Sequence, residues 1–133
     1  MKANELMIGD WVATKKGDGQ VDTIQDNDVI FTSAIQGIEG AAYLQETDPI
    51  NITEGFLLRN GFTEQPDVPE DCVNYIYNND GKIVYIFRQP WDNFSIDANF
   101  QGRLSMTIKY VHELQHILRL IGLNDLADNF KIA

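Results

Sequence analysis

Cysteine and histidine are almost absent from this chain. Among its 133 residues there is one Cys, at position 72, and there are two His, at 112 and 116. A single Cys permits no intramolecular disulfide, so a reducing compartment is the default setting. No His lies near Cys72 in sequence, which leaves it a small half-buried residue rather than a nucleophile. Long apolar runs are missing as well. Met1-Lys2-Ala3-Asn4-Glu5 opens the chain without one, and none later is long enough to span a bilayer. The expectation is a cytoplasmic protein with no membrane contact. Basic residues are scarce, at ten Lys and Arg against twenty Asp and Glu, for a net charge of -10. Such a surface repels phosphate backbones and disfavours nucleic acid as a partner.

The acidity is uneven. Residues 1–48 carry three Lys against nine acids, and residues 49–72 carry Arg59 against five. Residues 73–133 balance, six against six. The bland reading of the acidic half is solubility, and its functional reading is attraction to a basic partner. Disorder is excluded by the hydrophobic share of 44% with 14 aromatics, enough for a packed core.

What is present reads as one α+β domain with three parts: a β lobe at 1–48, a short helix and acidic loop at 49–72, and an antiparallel sheet plus C-terminal helix at 73–133. In the first part, short strands alternate with turns. Trp11-Val12-Ala13-Thr14, Gln20-Val21-Asp22-Thr23-Ile24 and Val29-Ile30-Phe31 are separated by Lys15-Lys16-Gly17-Asp18-Gly19 and Asp26-Asn27-Asp28. Leu6-Met7-Ile8 reads as a further strand, and residues 32–48 have no clear pattern. The spacing of Ile8-Gly9-Asp10-Trp11-Val12 with Gly17, Gly19, Val21 and Ile24 resembles SH3-like barrels of the KOW type. That resemblance implies RNA or ribosomal contact, against which the local charge stands.

In the second part Thr53 is a helix N-cap, Glu54 sits in the first turn and Gly61 stops the helix. Asp80-Gly81 then predicts a two-residue hairpin, with Tyr77 opposite Val84 and Tyr75 opposite Ile86. Val73, Tyr75, Tyr77, Val84 and Ile86 share one face, and Ile76, Ile83, Tyr85 and Phe87 the other. Both faces are apolar enough to be covered, one of them by the C-terminal helix. Trp91 to Ile96 and Leu104 to Ile108 are further strands. Tyr75, Tyr77, Tyr85, Trp91 and Phe94 fall at strand spacing, which favours a packed sheet face over a ligand cage.

One segment carries the residue types of a reaction. His112-Glu113-Leu114-Gln115-His116 matches the H-E-x-x-H pattern of zinc hydrolases. Two His four apart share a helix face and can meet one metal, with Glu113 placed to take a proton from a bound water. A third ligand is then needed, and no third His exists. The metzincin extension is absent, with Arg119 at its Gly position and Gly122 at its third His. At about 100° per residue, Val111, Leu114, Ile117, Leu118 and Ile121 fall on one side and His112, Gln115, His116 and Arg119 on the other. The expectation is an amphipathic helix over 109–121, Gly122 as its cap, a short final helical turn at 125–129 and a solvated His pair. The zinc reading, with His112 and His116 as ligands and Glu113 as base, requires another segment to cover that face and bring an Asp or Glu.

Three stretches together resemble a known group. Asn4-Glu5-Leu6-x-Ile8-Gly9-Asp10-Trp11-Val12 opens the chain. Ile52-Thr53-Glu54 with Leu57-Leu58 and Gly61-Phe62 lies in the middle, and Lys109-Tyr110-Val111-His112-x-Leu114-Gln115 near the end. The pattern is similar to a family of short uncharacterised proteins of Bacteroides-type bacteria and their phages or mobile elements. The resemblance implies no activity, cofactor or catalytic residue. The function expected is therefore a non-catalytic interaction or accessory protein with a protein partner and no cofactor. A zinc hydrolase and an RNA- or ribosome-associated module are the alternatives.

Overall fold

The computed structural model describes residues 1, 5–15, 17–25, 29–34, 39–65, 74–88, 93–99 and 103–132. The turn at 26–28, the acidic stretch 66–71, Cys72 and Trp91 lie outside them, as do Val73 and Lys16. The described chain forms two compact units. The first joins Met1–Asn51 to Tyr110–Ile132, and the second is Ile52–Lys109.

The first unit contains an antiparallel meander of β1 (Trp11–Thr14), β2 (Gly17–Gln25), β3 (Val29–Ala34) and β4 (Glu39–Tyr43). A 3-10 turn at Leu44–Glu46 leads to β5 (Asp48–Pro49), which returns to pair with β1. The strand order is β4-β3-β2-β1-β5. Leu6, Val12, Val21 and Leu44 form a buried core cluster beneath it, with Met1 and Ile24 packed on its margin. β4, the 3-10 turn and β5 occupy the stretch without a sequence pattern. The predicted strand at Leu6-Met7-Ile8 is instead a tight turn. The Asp10 N–H donates to the Met7 carbonyl at 3.1 Å, and Gly9 adopts φ +93°, a conformation open to glycine.

The rest of the first unit is helical. α2 (Val111–Leu120) and α3 (Asn124–Asp128) are joined at Gly122, whose φ of +85° ends α2 as the sequence predicts. The expected cover for the second sheet thus groups with the N-terminal strands. No helix among the described residues is long and apolar enough to cross a membrane.

The second unit begins with α1 (Glu54–Arg59), capped by the Thr53 hydroxyl, which accepts from the Phe56 N–H at 3.1 Å. Its sheet is antiparallel, in the order β10-β9-β8-β7-β6. The strands are β6 (Thr63–Glu64), β7 (Asn74–Asn79), β8 (Lys82–Arg88), β9 (Phe94–Asn99) and β10 (Arg103–Ile108). The β7–β8 register pairs Tyr77 with Val84 and Tyr75 with Ile86, as the hairpin turn requires. Asp80 and Gly81 both take positive φ there. The two sheet faces differ. Tyr75, Val84, Ile86, Phe94, Ile96 and Ala98 are buried, whereas Ile76, Ile83, Tyr85 and Phe87 are only half-buried. Tyr75 and Phe94 are thus core residues, not the walls of a cage.

Candidate functional site

The polar side of α2 is turned into the protein. His112 is 7% exposed and Gln115 fully buried, although helical periodicity assigns both to solvent. Gln115 is met there by Gly9 and Trp11, from the other end of the chain.

Asp10 is the centre of this site. It follows the Met7–Gly9 turn, and its carboxylate has no solvent exposure. Oδ2 accepts the Met7 N–H at 2.7 Å and the His116 Nε2–H at 2.6 Å. Oδ1 accepts from Arg119 Nη1 at 2.7 Å. A buried carboxylate is costly unless paired and hydrogen-bonded, and here a guanidinium, an imidazole and a backbone amide meet that requirement. Arg119 also pairs with Asp128 of α3, Nη2 to Oδ1 at 3.1 Å.

Beside the charges runs a neutral set of bonds. Gln115 Oε1 accepts the Trp11 N–H at 2.8 Å. Gln115 Nε2 donates to the carbonyls of Gly9 at 2.9 Å and Ala127 at 2.8 Å. Gln20 Nε2 reaches the Gly9 carbonyl at 3.0 Å and that of Asp128 at 2.8 Å. The turn, β2, α2 and α3 are thereby tied at one place. Glycine at position 9 suits the φ of +93°, and a Cβ there would also stand 2.8 Å from the end of the Arg119 side chain, which would have to move.

The residues of the zinc motif take separate roles. Glu113 Oε1 accepts the Tyr110 N–H at 2.9 Å, so the carboxylate of the proposed base caps the start of α2. His116 donates to Asp10 and keeps 31% of its side chain in solvent. His112 lies with its ring parallel to Tyr110 at 5.8 Å and edge-on to His116 at 5.7 Å. Its buried Nδ1 has no hydrogen-bond partner among the described residues. Burial pushes His112 below its ordinary 6.5, and His116 adds to this. Asp10, Glu113 and Glu5 pull the other way.

Sequence reasoning missed Asp10, Gln20, Gln115, Arg119 and Asp128 as members of a common site. Two of the quoted motifs held the signal. Gly9-Asp10-Trp11 belongs to the opening stretch and His112 and Gln115 to the closing one, and these stretches meet here. Among the described residues no group of three or more His, Cys, Asp and Glu is arranged to hold a metal ion. The chain matches no protein-family model, no curated protein and no solved structure.

Proposed function

We propose that this chain is a non-catalytic interaction protein whose H-E-x-x-H residues hold the fold together. One observation carries the reading: the carboxylate of Asp10 receives His116 and Arg119 at once, while Glu113 is engaged by the backbone of Tyr110. A zinc hydrolase needs the opposite commitments, with His116 offering a lone pair to the metal and Glu113 facing a bound water. The guanidinium on Asp10 also supplies a positive charge where a dication would have to approach.

A protein partner is favoured over a polyanion. The first unit holds five basic and twelve acidic residues, a net -7, which suits a basic surface and repels RNA. An SH3-like character for its sheet is part of the proposal. The order β4-β3-β2-β1-β5 and the 3-10 turn before β5 support it. Membership in the Bacteroides-type and phage-related family, with a cytoplasmic setting, is proposed from the motifs. Its support is that residues of the opening and closing stretches bond to each other.

The zinc alternative has one observation in its favour, because Asp10 does bring a carboxylate to His116. Calorimetric titration of metal-stripped protein with zinc separates the readings. The expected result is no stoichiometric tight binding, and the same trace from a His112→Ala/His116→Ala variant. Tight binding that the variant loses would overturn the proposal and make peptidase assays the next step.

A further inference from the structure

The bonds around Asp10 leave one buried titratable side chain unused. His112 is 7% exposed, and its Nδ1 is buried with no acceptor among the described residues. The charged groups near it are Glu5 and Asp10 from the N-terminal segment and Glu113 and His116 from its own helix; the ring of Tyr110 covers it in parallel. Two of these carboxylates are already committed. Asp10 already serves Met7, His116 and Arg119, and Glu113 serves the N–H of Tyr110.

The two rings are therefore placed differently. His116 has its Nε2 against the Asp10 carboxylate and part of its ring in solvent. His112, once protonated, would become a buried cation with a bare N–H, its ring edge-on to that of His116 at 5.7 Å. We propose that His112 is an acid-triggered release: once protonated it leaves its site and parts the first turn of α2 from residues 5–11. The inference rests on the reading of His112 as a residue that holds no metal, and not on the partner.

The sign follows from proton counting. His112 in the folded protein sits below its ordinary 6.5 because burial disfavours the cation. The open state thus binds more protons as pH falls through that value, and the closed state loses stability. The experiment is amide hydrogen exchange across Val111–Gln115, corrected for intrinsic rates, with the ring signals of both His followed on the same full-length samples. Between about pH 7.5 and 5.5, protection of these amides is expected to fall severalfold. The His112 signals should titrate below the ordinary histidine value of 6.5. A His112→Phe variant, which keeps an aromatic ring against Tyr110 and cannot charge, should hold its protection over the same range. Unchanged protection in the wild type would overturn the proposal, as would an equal loss in His112→Phe. If that variant does not fold, the wild-type ring titration decides: His112 titrating at or above 6.5 with the helix amides unmoved refutes the release.

Discussion

Asp10 shows how much of the first unit depends on one carboxylate. Removing its side chain takes the shared carboxylate from His116 and from Arg119, 11% exposed, which then keeps Asp128. Breaking a buried pair by taking away one partner costs about 3–5 kcal/mol. Asp10→Ala is therefore expected to lower stability by that order in urea unfolding. Asp10→Asn should cost less, because the amide oxygen can still accept one donor. A loss under 1 kcal/mol for Asp10→Ala, the range of an exposed ion pair, would show that the site is open to water. Gly9 is the companion test. Alanine there meets both a positive φ and a contact of 2.8 Å with Arg119, and a loss of about 1–3 kcal/mol is expected.

At the same scale Tyr75 makes an alkaline prediction for the second unit. Burial pushes its hydroxyl up to about 12, with the Glu54 carboxylate adding to the rise. Its folded value lies above its unfolded value of 10.0. The stability it confers is thus present below pH 10 and is lost as pH rises toward 12. Absorbance titration of the five tyrosines should show one ionising last, and Tyr75→Phe should remove that step.

Among the elements, what could be read from the sequence depended on the range of the forces involved. The β7–β8 hairpin was readable to the exact partner because two adjacent residues, Asp80 and Gly81, dictate the turn and the turn dictates the register. Thr53 was readable as a cap because its hydroxyl acts three residues away. α2 was readable as an amphipathic helix, but its polar face was misread as solvated. Periodicity separates apolar from polar positions, but it cannot tell a polar face in water from one with buried partners. Those partners, Gly9 to Trp11, are over a hundred residues away. Gln115, His116 and Arg119 carry donors of the kind that a buried carboxylate and open carbonyls require, so their sequence hydrophilicity reflects internal bonding. β4 went unplaced for a different reason: its Ala and Gly residues give no alternation to follow.

For the whole molecule, the division 1–48, 49–72 and 73–133 follows composition, whereas the contacts follow a different cut. The second unit, Ile52–Lys109, is a continuous segment, and the first is built from the chain on either side of it. A chain ended after Lys109 keeps β1 but loses Gln115, His116 and Arg119. The Trp11 N–H and the Asp10 carboxylate then have no helix to meet. In a Trp91→Phe background, Trp11 fluorescence of that truncated protein should shift to the red and lose its cooperative urea transition. A native-like transition would show that the strands of the first unit stand without α2.

The joint between the units has a kinetic meaning. The Ile52 N–H donates to the Lys109 carbonyl at 2.9 Å, and the Val111 N–H to the Ile50 carbonyl at 2.8 Å. Entry and exit of the inserted segment are thus neighbours. During synthesis the segment is complete before α2 has left the ribosome, and its closure sets Asn51 beside Tyr110. Joining α2 to Trp11 then no longer requires closing a loop of a hundred flexible residues, because the inserted unit has already spanned most of that distance. A closed inserted segment thus shortens the loop that separates the two ends of the first unit.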